Sequence, residues 1–360
     1  MTKDKLYSVQ YLRGLAVIIV AYIHGIILQM GCGTESYQQQ FHFIVGAFSV
    51  DMFFIISGFI MCYVSSQYSG IQDFIKYIKK KFIRINVVYY FTSLLMILFL
   101  FLFSPWEISL ENTIKTLTII PIFDSGDEFV YPLIYVGWTL SYEWFFYILY
   151  GIFIVFSIVK RREVYLISIF FILFILGFFF PIREIHYIFV TNPMFLEFGI
   201  GMAIVVIYRN VKKVHISIPV ILGIITLFIF IYLLNNGVGK VGEAYLINKG
   251  IYTWHRVIIL GIPAALLFAT LLFLEKRTTS NFYKNDKLVI VGDASYSIFL
   301  THPILYFLIS RIPNSILSSI NPDLLIILIL TIAVVFGILY YQLIEKRLIS
   351  IFNNLLLRRK

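Results

Sequence analysis

The chain has 360 residues, of which 60% are hydrophobic and 18% aromatic, while only 13% are charged. The mean hydropathy of +0.90 is typical of a polytopic membrane protein and excludes a soluble globular domain. The formal net charge of +10 would suggest nucleic-acid binding in a soluble protein. Here the basic residues gather in the short connections between apolar segments, so we expect no nucleic-acid partner.

Ten apolar segments are long enough to cross a bilayer as α-helices, at about 20 residues each. We therefore predict an all-α protein with about ten transmembrane helices, at residues 9–28, 43–64, 85–104, 138–159, 164–181, 193–208, 216–234, 256–274, 289–309 and 323–343. Every second connection is basic, and these connections with the two ends hold 23 of the 29 Lys and Arg residues. The positive-inside rule then predicts cytoplasmic N- and C-termini. No small-residue cleavage site follows the first segment, so we expect it to be retained.

The first segment carries Arg13 near its start and His24 near its end. Eleven residues of α-helix turn through about 1100°, so the two side chains lie only about 20° apart on one face. The rise between them is about 16 Å, roughly half a bilayer. Ionisable groups within a membrane are costly and mark functional sites by default. The alternative is that Arg13 is an interfacial anchor and His24 a packing residue.

Five predicted spans each place one ionisable residue in the outer half of the membrane, and the second span adds a serine near its middle. These residues are His24, Asp51, Glu143, Glu197 and His302, with Ser57 as the serine. Such groups normally face a protein interior or a wet cavity. Asp51 can also be explained as a helix cap, Asp293 is better explained as the N-cap of the ninth helix, and Glu345 as an interfacial charge.

A second group lies at the predicted cytoplasmic face. Lys81 and Arg84 belong to the run KKKFIR at residues 79–84, and Arg13 enters the first span on the same side. Such cations can hold an anionic ligand, for example a phosphorylated cofactor. The lysines are also explained as ordinary positive-inside residues, whereas Arg84 lies at the start of an apolar segment.

The two cysteines indicate neither a disulfide nor a metal site. Cys32 and Cys62 are predicted to lie near opposite membrane faces, too far apart to be bridged. No metal-binding or phosphate-loop motif is present, so we expect no metal cofactor.

Five motifs in this order resemble the acyltransferase-3 family of integral membrane acyltransferases. They are Arg13 and His24 with ten residues between them, SVDMFFIISGF at 49–59, WTLSYEWFFY at 138–147, NPMFLEFGIG at 192–201, and GDASYSIFLTHP at 292–303. The resemblance covers about residues 6–348. The chain departs from the family pattern after Arg84, where a proline is expected. It also departs at Thr301, where an aromatic is frequent, and at Arg347, where proline is usual.

The resemblance implies a membrane acyltransferase domain at 1–348, followed by a basic cytoplasmic tail at 349–360, in a multi-pass protein of the bacterial inner membrane. It implies acetyl-CoA, or another acyl-CoA, as donor and a hydroxyl of a glycan or lipid-linked oligosaccharide as acceptor. Arg13, Arg84 and Lys81 would bind the donor phosphates. His24 would be the general base, with Glu143 and His302 as further catalytic residues. Asp51, Ser57 and Glu197 would bind substrate, and membrane lipid would surround the chain.

A transporter or flippase for a glycan or lipid-linked substrate is the alternative class. It too would place ionisable groups at mid-membrane and would need no acyl donor. Two features count against it. No internal repeat is visible, and the basic group at the predicted cytoplasmic face is aligned with His24.

Overall fold

The structure, a computed structural model, describes residues 5–31, 39–119, 131–242, 244–278 and 287–357. These residues are α-helical and contain no β-strand, which confirms the predicted all-α class. Helices dominate because a backbone inside a bilayer has to satisfy its own polar groups. The helices are α1 Tyr7–Gly31, α2 Gln39–Ser65, α3 Gly70–Phe82, α4 Val88–Phe103, α5 Leu110–Thr118, α6 Trp138–Val155, α7 Arg162–Phe179, α8 Ile185–Val190, α9 Phe195–Asn210, α10 Ser217–Asn236, α11 Ala244–Asn248, α12 Thr253–Arg256, α13 Ile262–Arg277, α14 Lys287–Asp293, α15 Ser295–Ile309, α16 Asn314–Leu317, α17 Pro322–Tyr340 and α18 Lys346–Leu356.

Nine helical stretches within the described residues are long and apolar enough to span a membrane, and α14 with α15 adds a tenth if this broken pair is one span. The prediction of about ten spans is confirmed. The third and the last stretches, Gly70–Phe103 and Pro322–Leu356, extend beyond the predicted segments. The third stretch is longer because the amphipathic helix α3 continues without a break into α4. The last stretch is longer because α17 continues without a break into the amphipathic helix α18.

The ninth predicted segment is broken at Ala294, between α14 and α15. Ala294 is the N-cap residue of α15 and offers no side-chain cap, so the expectation that Asp293 caps this helix is wrong. The carboxylate of Asp293 instead forms an ion pair with Lys5 at 2.7 Å.

Within the described residues, three helical junctions contain five-residue π-helical turns, at Ile83–Val87, Val257–Gly261 and Tyr341–Glu345. Such wide turns are rare and often accompany functional sites. The last one brings Glu345 into the protein, where the hydroxyl of Ser297 donates a hydrogen bond to its carboxylate. Glu345 is therefore buried, and its assignment as an interfacial charge is wrong.

The chain divides into two compact units. Unit 1 comprises Met1–Val20, Gln38–Gln67 and Ile158–Asp293, and unit 2 comprises Ala21–Tyr37, Tyr68–Ser157 and Ala294–Lys360. The predicted boundary at residue 348 falls within α18, which is helical to Leu356.

In unit 1, helices α2 and α9 touch backbone to backbone through two glycines. A Cβ on Gly201 would lie 2.0 Å from the carbonyl oxygen of Ile55, and one on Gly58 would lie 2.2 Å from that of Phe198. Small residues allow this kind of approach between helices in membranes. The contact fixes α9 against α2, the two helices that carry Glu197 and Asp51.

In unit 2, α15 packs on α17 at Gly337, where a Cβ would lie 2.4 Å from the side chain of Ile298. The long connection between α4 and α6 belongs to the same unit and contains α5, which Ser109 caps by accepting a hydrogen bond from the backbone N–H of Asn112. The connection leads back to α6 through a short 3₁₀ turn at Tyr135–Gly137.

Candidate active site

Two histidines meet in unit 2. His24 Nδ1 lies 2.9 Å from His302 Nε2, and the rings stack with centroids 5.1 Å apart and an interplanar angle of 10°. His24 is on α1 and His302 on α15, so the contact joins residues 278 positions apart in the chain. The sequence predicts that both residues lie at a similar membrane depth, and the structure places them in direct contact.

The second hydrogen bond of His302 shows which of the two rings donates the hydrogen bond between them. His302 Nδ1 lies 3.0 Å from the carbonyl oxygen of Ile298, which can only accept, so Nδ1 carries the proton. With both rings neutral, His302 Nε2 then accepts the hydrogen bond that His24 Nδ1 donates. His24 is left with an unprotonated Nε2. The arrangement therefore presents the lone pair of one nitrogen, Nε2 of His24, as a proton acceptor.

Two tyrosines enclose the pair. The ring of Tyr135 stands edge-on to His24, with centroids 4.9 Å apart. Tyr306 is edge-on to His302 at 5.4 Å, and its hydroxyl donates to the carbonyl of Ala21 at 2.7 Å. His302 is fully buried, whereas His24 is only half-buried. Of the two residues, His24 is therefore the more exposed.

A second group in unit 2 links two residues to which the sequence assigns different roles. The hydroxyl of Tyr147 donates to Glu143 Oε2 at 3.1 Å. Lys81 Nζ lies 4.6 Å from the centroid of the same Tyr147 ring, a cation–π contact. Tyr147 thus connects the predicted catalytic Glu143 with the predicted donor-binding Lys81. Arg84 is exposed on the π-helical turn that follows Lys81.

In unit 1, Asp51 is the partner of a buried arginine. Arg256 Nε and Nη2 each lie 2.9 Å from one carboxylate oxygen of Asp51, a two-pronged ion pair. Arg256 Nη2 also donates to the carbonyl of Ala47 at 2.9 Å. The side chains of Arg256 and Asp51 are 2% and 0% exposed. Sequence reasoning missed this pairing, and its only signal was a single arginine at the start of an apolar segment.

Glu197 lies next to this ion pair. Its two carboxyl oxygens are buried, and the carboxyl group lies close enough to Asp51 and Arg256 to interact with both. It packs against Gly261, where a Cβ would lie 3.0 Å from Glu197 Oε1. Ser57, six residues along α2 from Asp51, is half-buried. The structure brings Asp51 and Glu197 together, and their role in substrate binding stays a prediction.

Arg13 is half-buried and lies in the part of α1 that belongs to unit 1. Helix α1 is continuous from Tyr7 to Gly31 and includes His24, so the expectation that one helix carries both residues is confirmed. Among the described residues there is no group of His, Cys, Asp and Glu side chains arranged to hold a metal ion.

Fold and site together define a polytopic helical membrane protein that holds a hydrogen-bonded histidine pair and a buried ion pair among its helices. The sequence profile of a family described as an acyltransferase domain matches residues 6–342. The chain belongs to this acyltransferase-3 family.

One relative of known name is the exopolysaccharide production protein ExoZ of Rhizobium meliloti (strain 1021). It is 32% identical over 112 residues, and this match covers 31% of the present chain and 35% of the relative. The similarity thus extends over about a third of each protein. No solved structure matches the chain.

Proposed function

We propose that this protein transfers an acetyl group from acetyl-CoA to a hydroxyl group of a cell-surface or lipid-linked glycan at the bacterial inner membrane. Membership of the acyltransferase family supports acyl transfer. The name of the relative, an exopolysaccharide production protein, supports a polysaccharide acceptor. The apolar helices and the basic connections support a plasma-membrane location with both termini in the cytoplasm.

The hydrogen-bonded pair of His24 and His302 is the observation that carries the proposal. His24 Nε2 removes the proton of the attacking hydroxyl while the hydroxyl oxygen bonds to the thioester carbonyl carbon. The carbon–sulfur bond then breaks, and the proton passes from His24 to the departing thiolate, giving an O-acyl ester and free CoA. General-base catalysis of this kind typically contributes about 10²–10⁴-fold.

His302 orients His24 in this proposal and does not touch the substrate. Its Nδ1–H is committed to the carbonyl of Ile298, and its Nε2 holds the Nδ1–H of His24. This keeps His24 in the tautomer that exposes a basic Nε2, which is the role of the third member of a catalytic triad. A relay through an acyl-histidine would use the same nitrogen as nucleophile.

The donor is held by cations at the predicted cytoplasmic face. Arg13, Arg84 and Lys81 bind the phosphates of CoA, since guanidinium and ammonium groups make strong, charge-assisted hydrogen bonds to phosphate. Glu143, connected to Lys81 through Tyr147, contributes to catalysis or holds the acceptor sugar. Asp51, Ser57 and Glu197 form the substrate-binding set, with Arg256 as the residue that fixes Asp51.

The test uses purified protein in lipid nanodiscs with radiolabelled acetyl-CoA. Wild type should bind the donor and release CoA slowly. His24→Gln should keep binding and lose turnover by at least a hundredfold, whereas Arg13→Gln should lose binding. His215→Gln is the matched control, because His215 is exposed and its ring forms hydrogen bonds only with Ser217 among the described residues. Well-folded wild type that binds no acyl-CoA would favour the transporter class instead.

Rapid denaturation of the same reaction in detergent at neutral pH, where an acyl-imidazole survives longer than in acid, separates direct transfer from a relay. A label that stays on the wild-type protein, and is absent from His24→Gln, indicates an acyl-histidine. A wild-type protein without label, at a time when CoA is being released, indicates direct transfer.

A further inference from the structure

A cavity of about 500 Å³ lies in unit 1, and neither Asp51 nor Arg256 lines it. It is formed where α7 ends and where α8 and α12 begin, that is, at the ends of three candidate membrane spans. Span ends lie at the boundary between hydrocarbon and water. The positive-inside pattern predicts that this boundary is the outer one. The cavity is therefore placed where both an apolar chain and a polar headgroup can be accommodated.

One wall of the cavity is apolar and open to the surroundings. Phe178, Ile182 and Trp254 line it, and all three are exposed large side chains. Phe178 and Trp254 contact each other edge-to-face, with centroids 6.4 Å apart. In a membrane protein such an exposed apolar wall faces lipid, so acyl or prenyl chains can lie along it.

Two cations, Arg183 and Lys249, line the same cavity. Arg183 is exposed and forms no ion pair within the part of the chain that the structure describes. The neighbouring carboxylate of Glu184 is already engaged, since it accepts hydrogen bonds from the backbone N–H groups of His186 and Tyr187. These two hydrogen bonds lower the pKa of Glu184, so its carboxylate stays ionised and accepts from the N-terminal end of α8.

The backbone around Lys249 is held in place by the scaffold. Asn192 Nδ2 donates to the carbonyl of Ile247 at 2.9 Å, while its Oδ1 accepts from the N–H of Met194. Gly250 follows with φ of +72°, a left-handed conformation that favours glycine. A Cβ there would also lie 2.8 Å from Ile188. The position of Lys249 at the cavity is therefore built into the fold.

We propose that this cavity binds the phosphate headgroup of an anionic amphiphile, with Arg183 and Lys249 on the phosphate and the chains along Phe178, Ile182 and Trp254. A guanidinium fork matches two phosphate oxygens, and a lysine adds a point charge. The chemistry is shared by a membrane glycerophospholipid and by a prenyl phosphate, the type of lipid that can carry a glycan. The proposal is independent of acyl transfer.

Native mass spectrometry of the full chain released from detergent tests this site. The probes are phosphatidylglycerol, farnesyl phosphate, zwitterionic phosphatidylcholine and inorganic phosphate. We expect wild type to retain phosphatidylglycerol, farnesyl phosphate or both, at least tenfold more strongly than the other two probes. Preference between the two retained lipids identifies the source of the phosphate.

Arg183→Gln with Lys249→Gln should weaken retention of the preferred lipid by about ten- to a hundredfold, in line with the loss of charge-assisted hydrogen bonds. Arg183→Lys with Lys249→Arg, which keeps both charges, should retain most of the binding and controls for misfolding. Lys240→Gln is the matched control, because Lys240 is exposed, belongs to the same predicted face and does not line the cavity.

Unchanged retention in the doubly neutralised protein would overturn the proposal. So would retention of phosphatidylcholine equal to that of phosphatidylglycerol, which would show that chains alone bind. Inorganic phosphate bound as tightly as the lipids would also overturn it, since the apolar wall would then contribute nothing.

Discussion

At the scale of single residues, the two histidines of unit 2 are chemically alike and structurally different. Both ring nitrogens of His302 are engaged, one by the carbonyl of Ile298 and one by His24. Nε2 of His24 takes no part in these two hydrogen bonds. In the proposed mechanism, this difference makes the half-buried His24 the general base and the fully buried His302 the residue that orients it.

This division of roles predicts which of two substitutions at His302 lowers kcat more. Leucine offers no acceptor for the Nδ1–H of His24, so His302→Leu should lower kcat about ten- to a hundredfold, as loss of an orienting partner does for ligating histidines. His302→Gln keeps an acceptor oxygen and should recover a clear part of that loss. The KM for acetyl-CoA should stay unchanged in both. Initial rates with labelled donor give the kcat and KM of both variants.

Variants matched for expression and melting temperature are needed for this comparison. Equal loss in His302→Leu and His302→Gln would show that His302 acts by packing alone. A raised KM for the donor would place His302 in the donor site and not behind His24.

The buried pair of Asp51 and Arg256 predicts a large effect on stability. Arg256→Gln leaves a carboxylate buried without its counter-charge, which should cost about 3–5 kcal/mol of unfolding free energy. Asp51→Leu combined with Arg256→Leu removes both charges and should recover most of this. Glu197→Gln should leave stability equal or higher, because it removes a buried carboxyl group that lies beside the carboxylate of Asp51. Thermal unfolding in detergent measures all three.

The matched control is the ion pair of Arg311 and Glu107, which has a similar distance of 2.8 Å but side chains that are 36% and 43% exposed. Arg311→Gln should change stability by less than about 1 kcal/mol. If Arg256→Gln and Arg311→Gln cost the same, burial of the Asp51 pair has no energetic consequence.

At the scale of the elements, the contact between α2 and α9 depends on the absence of two side chains. Gly201→Ala would place a methyl group 2.0 Å from a backbone oxygen, so the helices have to separate. Overpacking of this kind should cost about 1–3 kcal/mol. Gly223→Ala on α10 is the control, because its Cβ would meet only Thr270 Cγ2, at 3.4 Å.

For Gly223→Ala we expect no loss, and a gain of up to about 1 kcal/mol from the better helix propensity of alanine. Urea or thermal unfolding of the purified variants provides the comparison. Equal stability of Gly201→Ala and Gly223→Ala would mean that α2 and α9 can move apart without cost.

The sequence predicts the spans well because an apolar run of about 20 residues has few alternatives in a bilayer. It does not reveal that α3 continues into α4, since the lysines of α3 lower its hydropathy although its spacing is helical. The π-helical turns are equally hidden, because they depend on packing partners far away in the chain. The break at Ala294 has no proline or glycine at the broken position.

For the site, the sequence predicts that His24 and His302 lie at the same membrane depth. Whether the two rings touch depends on how α1 packs against α15, which the sequence does not predict. The partner of Asp51 escaped prediction for a similar reason. Arg256 is the first residue of the predicted span 256–274, and only the contact of its side chain with Asp51 on α2 shows that it points into the protein. Residue types and depth can be predicted from one sequence, whereas pairings across several hundred residues cannot.

At the scale of the whole molecule, a buried lysine outside the spans makes stability depend on pH. Lys115 on α5 is buried, and burial lowers the pKa of its ammonium from 10.5 to about 7. Between these values the unfolded chain keeps a proton that the folded chain has released, so unfolding free energy rises with pH. The slope from this group is at most about 1.4 kcal/mol per pH unit. Below pH 7 both states are protonated, and the contribution to the slope vanishes.

Lys115→Met should therefore unfold with a weaker dependence on pH than wild type between about pH 7 and pH 10. The difference between the two proteins should be largest near pH 7, where wild type still buries a charge. Melting temperatures across this range in one detergent provide the measurement, with the exposed Lys240→Met as control. Parallel curves for wild type and Lys115→Met would show that Lys115 holds its proton equally in both states.

The contact between His24 and His302 also has a consequence for biosynthesis. The two residues are 278 positions apart, which a ribosome covers in about 14–56 s at about 5–20 residues per second. During that interval the first helix is already synthesised, but His302 is not. Under the proposed mechanism the nascent chain is therefore inactive until α15 has been made, and truncated translation products are expected to have no activity.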